Sequence, residues 1–304
     1  LGRKTTNVLR AAMAVQFANA LYAVWLRISY IVQAALRSVG AAGGGWALLA
    51  VLRAIGFGKE TKHVKETNPD SDLLVPRHIA VIMDGNRRFG RQKYGDSLSG
   101  HRAGGEKLRE FILWCSDLNV DFLTVFAFST ENWKRDEKEV KAMMDLFLSE
   151  VPRLGEHAMN HNCRVRFLAS DVELLPNDVK KAVANLEELS ASCTGLTLNV
   201  CLSYGGRSDV VHACRSIAAK VETGELNAQH INDAMLKTHL LTGDIPDPDV
   251  LIRTSGERRL SNFLMFQLAY AELFFLEKHW PEVEREDLLE VVKQFQGRQR
   301  RFGK

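Results

Sequence analysis

The chain has 304 residues, 46% hydrophobic and 25% charged, enough for one large or two small globular domains with a sizeable core. Its five cysteines (Cys115, Cys163, Cys193, Cys201, Cys214) show no Cys-x-x-Cys spacing, which argues against a zinc site or a disulfide framework and for a reducing compartment. The net charge of +3 is uneven: residues 1–59 hold seven of the 40 basic groups and none of the 37 acids, leaving −4 for the remainder, a balance that disfavours nucleic-acid binding.

Residues 1–57 read as an apolar, basic, helical leader. Arg27 and Arg53 interrupt its apolar stretches, so neither gives a clean span of about 20 uncharged residues. Tyr22, Trp25, Tyr30 and Trp46 among arginines suit a membrane interface. An Arg-containing, acid-free leader also suits an organellar transit peptide, and a helix of a soluble domain is the third reading. Residues 58–76, with Asn68-Pro69-Asp70, read as a linker.

From residue 77 strand and helix patterns alternate. Short apolar runs predict strands at 78–83, 122–128, 164–169, 196–202, 249–253 and 272–276. Helices are expected near 104–118, 137–160, 178–191, 208–222 and 284–296, with another opening at Arg87-Arg88, and Pro152 should kink or interrupt the second. The pattern predicts an α/β domain over 77–304: a mostly parallel central sheet flanked by helices.

The first strand ends in Met83-Asp84-Gly85-Asn86-Arg87-Arg88. A carboxylate, a glycine turn and two guanidiniums at a helix start make an anion site at the carboxyl edge of a sheet, with the N–H groups of Gly85 and Asn86 facing outward. Polar clusters also follow later strands: Ser129 to Arg135, Tyr204 to Arg207, and Arg253 to Ser261. In a parallel sheet these ends share one edge. Arg87, Arg88, Arg135, Arg207, Arg253 and Arg259 would repel one another without anions between them, and guanidinium forks suit phosphate oxygens. One diphosphate would hardly occupy so many donors; two could. Ser129, Asn132 and Ser261 offer neutral hydrogen bonds, and Asp84 with a second carboxylate could hold magnesium. Glu272, entering an apolar run, is either that carboxylate or a surface acid at a strand start, and His101 before a helix is either a site residue or a cap. Neither a dinucleotide fingerprint nor a P-loop lysine is present, so the anion does not look like a nucleotide.

Four segments, Met83 to Arg88, Phe128-Ser129-Thr130-Glu131-Asn132-Trp133, Tyr204-Gly205-Gly206-Arg207 and Ile252-Arg253-Thr254-Ser255-Gly256-Glu257, resemble the cis-prenyltransferase family in type and order, from about residue 77 to Gly303. The resemblance implies repeated condensation of isopentenyl diphosphate onto an allylic diphosphate such as farnesyl diphosphate, giving a long cis-polyprenyl diphosphate for dolichol or a related lipid carrier. It implies magnesium at Asp84 with Glu272 as second ligand, and an allylic diphosphate site of Asp84 to Arg88 with Phe89, His101 and Arg135. Ser129, Thr130, Glu131, Trp133 and Arg207 fall within the matching substrate-binding segments, and Arg253, Arg259, Leu260 and Ser261 match the isopentenyl site. Asn132 matches a position tied to proton removal; an amide is a poor base, so positioning is its reading and the base stays open. An apolar product tunnel is expected, with Leu196 at its floor.

Departures from the bacterial pattern fall at Ser97, where many members carry Arg, and at Arg87, where they often carry Gly, pointing to a side chain turned away from phosphate. The closing Arg301-Phe302-Gly303 resembles a tail that reaches a neighbouring active site in homodimeric members, so a homodimer is expected. A lipid surface is expected as a partner, with the endoplasmic reticulum, facing the cytosol, as the location, or a mitochondrion or plastid if the leader is a transit peptide. The alternatives are a subunit of a two-component cis-prenyltransferase that needs a partner, and a magnesium-dependent phosphate-ester hydrolase.

Overall fold

The computed structural model describes residues 75–298. The leader, nearly all of the linker, and the tail residues Arg301 and Gly303 lie outside the described residues. The described chain builds β1 (His78–Ile82), α1 (Asn86–Tyr94), α2 (Ser97–Asp117), β2 (Phe122–Ser129), α3 (Glu137–Asn160) and β3 (Arg164–Leu168). It continues with α4 (Asn177–Ser190), β4 (Thr197–Tyr204), α5 (Gly206–Glu222), α6 (Asp233–His239), β5 (Val250–Arg253), β6 (Glu272–Phe275) and α7 (Arg285–Gly297).

The six strands form one sheet in the order β3-β4-β2-β1-β5-β6, and every pairing is parallel. Both faces are covered, as an all-parallel sheet requires. On one face Ile79, Val81, Leu123, Val125, Leu198, Val200 and Ile252 pack with Phe111 and Ile112 of α2, Val151 and Ala158 of α3, and Val291, Val292 and Phe295 of α7. The alternate residues Ala80, Ile82, Cys201 and Leu251 face the other way and meet Phe263, Leu264 and Leu268.

Helix starts follow local chemistry. The Asp96 carboxylate accepts from the Ser99 N–H and caps α2, and that of Asp136 accepts from Lys138 and caps α3. The cap at Asp96 starts α2 seven residues before the predicted position, across Gly100, Gly104 and Gly105, which weaken the helical pattern. The short α6, capped by Asn232, is an element the sequence pattern does not predict. Pro152 does not interrupt α3: it lies on the exposed side, where water can satisfy the carbonyl that loses its partner.

Among the described residues no helix is long and apolar enough to cross a membrane.

Candidate active site

The polar clusters after β1, β2, β4 and β5 lie at the carboxyl edge of the sheet. From β1 the order runs to β2 on one side and to β5 on the other, so the crevice between the ends of β1 and β5 is a topological switch point, where α/β sheets bind ligands. A cavity of about 590 Å³ opens there.

Asp84 leaves β1 at this crevice. Its backbone carbonyl accepts from the Thr254 hydroxyl (2.7 Å) and the Trp280 N–H (3.0 Å). Its Oδ1 accepts from the Gly85 N–H at 2.7 Å, so this amide does not face outward as expected; it is taken by the neighbouring carboxylate. Gly85 has φ 97°, and a Cβ there would stand 2.7 Å from both Ser255 Oγ and His279 Nδ1, so only glycine fits. Asn86 opens α1, and its Nδ2 donates to the Met83 carbonyl (3.1 Å). The first N–H groups of α1 have no partner within the helix.

Arg87, Arg88, Arg91, Arg135, Arg253 and Arg259 line the cavity around one carboxylate, Asp84. Arg253, only 3% exposed, is the most constrained. Its Nη2 donates to Asp84 Oδ2 (2.9 Å), and its Nη1 to Ser261 Oγ (2.8 Å) and the Arg259 carbonyl. Two acids outside the lining restrain four of the other guanidiniums. Glu139 takes Arg135 (3.1 Å) and Arg87 (3.3 Å), while Glu257 takes Arg88 (3.2 Å) and Arg259. Ser129, Asn132 and Ser261 also line the cavity, and Asn132 Oδ1 accepts from the Ser129 N–H at 3.1 Å. His101 sits among these cations. Burial, then the charges of Arg135 and Arg87, push its pKa down to about 4, so the imidazole is neutral near pH 7.

The structure corrects several expectations. Arg87 lines the cavity instead of turning away. Arg207 is exposed and outside the lining; its backbone N–H, not its guanidinium, is used, by Asn262 Oδ1 at 2.9 Å. Phe89 is buried on the far face of α1, edge-on to Tyr94, away from the arginines. Glu272 begins β6, at the sheet edge opposite Asp84, and pairs with Arg298 at 2.6 Å, so within this chain it shares no site with Asp84. Thr130, Glu131, Trp133 and Leu260 support the walls without lining them. Trp133 Nε1 donates to Ser203 Oγ, Glu131 accepts from Asn262 Nδ2, Thr130 packs against Gly205, and Leu260 packs into the core under the sheet. Leu196 is buried in the core, four residues before the cavity-lining Val200, and is not itself in a cavity wall.

Two further residues join the site without a motif to announce them. Arg91 lines the cavity, its Nε donating to Ser97 Oγ (3.1 Å). The signal for it in the sequence is its spacing, four residues after Arg87 on a helix. Asn262, at φ 63°, ties the loop after β5 to those after β2 and β4 through Glu131, Gly206 and Arg207. Asparagine tolerates this left-handed conformation better than most residues.

Behind the arginines lies a second, apolar cavity of about 140 Å³ between α2 and α3, walled by Leu108, Leu146, Phe147, Leu154 and Val200. The two cavities share Met83, Asn86, His101, Ala127 and Met143.

Comparison with known proteins agrees with this architecture. A family profile described as "Putative undecaprenyl diphosphate synthase" matches residues 82–303. The tritrans,polycis-undecaprenyl-diphosphate synthase (geranylgeranyl-diphosphate specific) of Thermococcus kodakarensis is 42% identical over 232 residues, 76% of this chain and 88% of that protein. An isoprenyl transferase of Listeria monocytogenes is 40% identical over 81% of this chain and 97% of its own length. Among solved structures, lavandulyl diphosphate synthase from Lavandula x intermedia, in complex with dimethylallyl diphosphate, superposes with a TM-score of 0.73 at 33% identity, covering 76% of this chain and 99% of that one. A probable undecaprenyl diphosphate synthase from Campylobacter jejuni gives 0.64 at 30% identity, covering 75% and 99%. The parallel sheet, the arginine-lined crevice at its switch point and these relatives lead to one conclusion: the chain belongs to the cis-prenyltransferase family, whose members are transferases of prenyl groups.

Proposed function

We propose that this chain adds isopentenyl diphosphate repeatedly to an allylic diphosphate, building a long cis-polyprenyl diphosphate for dolichol or a related lipid carrier. One observation carries the reading: a cavity with six arginines around one carboxylate adjoins an apolar cavity through five shared residues. Charged heads and a growing hydrocarbon tail need just these two environments. Farnesyl diphosphate is the expected primer. The archaeal relatives, named as geranylgeranyl-diphosphate specific, make geranylgeranyl diphosphate the second candidate.

In this reading Arg87, Arg88, Arg91, Arg135 and the N-terminus of α1 receive the allylic diphosphate. Arg253, Arg259 and Ser261 receive isopentenyl diphosphate. Breaking the allylic C–O bond gathers negative charge on the departing diphosphate, and guanidiniums already fixed by Glu139 and Glu257 stabilise it without reorganising. His101 stays neutral and can donate a hydrogen bond without adding to the repulsion. Asn132 orients the isopentenyl group for loss of its proton.

The donor set fits magnesium. Among the described residues no three His, Cys, Asp or Glu side chains cluster as a protein cage would require, and magnesium prefers one or two carboxylates with substrate phosphates and water. Asp84 would hold the ion, whose positive charge would help the diphosphate leave. Arg253 must first pass its donor from Asp84 to a diphosphate, which frees the carboxylate.

Burying each five-carbon unit gains roughly 4 kcal/mol at about 0.8 per methylene-sized group, so a long product leaves for water slowly. A membrane-associated homodimer on the endoplasmic reticulum, facing the cytosol, would deliver it to lipid, and detergent or liposomes should then raise steady-state turnover. The decisive assay follows radiolabelled isopentenyl diphosphate with each primer and magnesium. The expected result is long polyprenyl product from the purified chain, and none from Asp84→Ala with its circular dichroism intact. Release of phosphate alone, product only with an added partner, or near-normal activity of Asp84→Ala would overturn the reading.

A further inference from the structure

We propose that Ser261 is a phosphorylation site: a protein kinase that reads paired arginines places a phosphate on it, and this phosphate takes the place of the isopentenyl diphosphate head and switches the chain off. The inference deepens the reading above and rests on it for the identity of the diphosphate displaced. Arg258 and Arg259 stand three and two residues before Ser261. Guanidiniums at these spacings are a charge pattern that one class of protein kinases selects with carboxylates in its cleft. Among the described residues no other serine or threonine has arginines at both positions.

The fold leaves this segment within reach. Between Arg253 and Glu272 the chain forms neither helix nor strand, so no regular element has to unravel for it to extend into a kinase cleft. Ser261 is exposed. The side chains of Arg258 and Arg259 are 73% and 61% exposed. Arg259 has a place in the cavity, but Arg258 lies outside the lining. Its partner Glu277, 3.6 Å away, is itself exposed, and such a surface pair adds little to stability. Recognition by a second protein gives this arginine a use that the fold does not.

The hydroxyl stands where an added phosphate meets cations. Ser261 Oγ accepts from Arg253 Nη1 at 2.8 Å and lines the cavity with Arg259. In the transfer, Ser261 Oγ bonds to the γ-phosphorus of ATP as the bond from that phosphorus to the ADP oxygen breaks, and the hydroxyl proton passes to the kinase's base. The new group carries about two negative charges and three acceptor oxygens. Once the loop closes, Arg253 and Arg259 hold those oxygens. A diphosphate arriving later meets guanidiniums already taken and a charge of its own sign. The coupling runs both ways: a diphosphate that fills the cavity first holds the loop closed and keeps the kinase away.

The test uses the whole purified chain, magnesium, ATP and the catalytic subunit of a cyclic-AMP-dependent protein kinase, with phosphate located by mass spectrometry of peptides. Incorporation of radiolabelled isopentenyl diphosphate is counted before phosphorylation, after it, and again after a phosphatase. Phosphate is expected on Ser261, with incorporation at least about tenfold lower and restored by the phosphatase. Inorganic pyrophosphate should slow the modification, with a control peptide correcting for its effect on the kinase. Arg258→Gln should slow phosphorylation about tenfold, the worth of one charge-assisted hydrogen bond, and leave basal incorporation as in the parent. Phosphate absent from Ser261, or found only elsewhere, for instance on Thr6 after Arg3-Lys4, would overturn the site. Full incorporation by the phosphorylated chain, or phosphorylation indifferent to pyrophosphate, would overturn the switch. A parent chain that makes no polymer removes the elongation reading alone, because the mass and the pyrophosphate protection still decide whether Ser261 is modified and shares its place with a diphosphate.

Discussion

The two adjoining cavities are built on opposite terms. In the first, charge is in excess and geometry is fixed by ion pairs, with Glu139 and Glu257 each holding two arginines and Asp84 holding Arg253. In the second, mostly apolar side chains line the space and the two charges present neutralise each other. The difference teaches how one protein can offer fixed charge to a diphosphate head and apolar space to a hydrocarbon tail. The head meets directional, preorganised donors; the tail meets non-directional burial.

The strongest way to break this contrast is at Arg253. Arg253→Met removes the donor shared by Asp84 and Ser261. It should cost about 10²–10³ in kcat/KM for isopentenyl diphosphate, the size seen when one preorganised donor is lost. Ordinary steady-state turnover in that variant would show that the first cavity does not work through its fixed cations.

A smaller effect is expected from His101. Its pKa lies at about 4 in the folded protein against an ordinary 6.5, so between these values the unfolded chain binds more protons. Its contribution to stability is therefore complete above about pH 6.5 and is lost as the pH falls toward 4, by at most about 3 kcal/mol. His78, buried and also pushed down to about 4, adds a parallel loss. Urea unfolding followed across this range should show a shallower dependence of stability on pH in His101→Gln. Inorganic pyrophosphate should raise the His101 pKa, read by NMR, because it offsets the neighbouring guanidiniums. A resonance that ignores pyrophosphate would place the anion elsewhere.

The finest distinction separates two arginines of one helix. Among the described residues Arg91 has no carboxylate within ion-pair distance and donates to a serine hydroxyl, whereas Arg87 shares Glu139 with Arg135. Arg91→Gln should raise KM for the allylic primer about tenfold, roughly the worth of one charge-assisted hydrogen bond. Arg87→Gln should do less, since Glu139 then binds Arg135 more fully, and it should change stability by less than about 1 kcal/mol. Equal effects in the two variants would remove the distinction.

Much of this architecture is legible in the residues. The six strands fall within two residues of their predicted limits, because buried parallel strands are short apolar runs such as Ile79-Ala80-Val81-Ile82. Five of the six expected arginines reach one cavity because the clusters follow strand ends. Side-chain direction is what the pattern does not carry. Phe89 follows two cavity arginines in sequence, yet 100° per residue carries it to the other face of α1. Arg207 follows a strand but begins a helix with its side chain outward. Glu272 opens its strand, and in an all-parallel sheet that puts it at the opposite edge, a distinction that needs the strand direction and not the acid. Glu139 carries no motif, and Glu257 closes one without showing what it pairs with; only the fold reveals that the two bracket the arginines.

The contact between Asp84 and Arg253 spans 169 positions of sequence and joins the first strand to the fifth. A ribosome must therefore carry synthesis through β5 before the two partners of this contact can meet. Closing so long a loop is among the slow events of folding. An unfinished or clipped chain that lacks β5 keeps Arg88 near Asp84 but has lost Arg253, Arg259 and Ser261, so the cavity is complete only once β5 and the loop after it are in place.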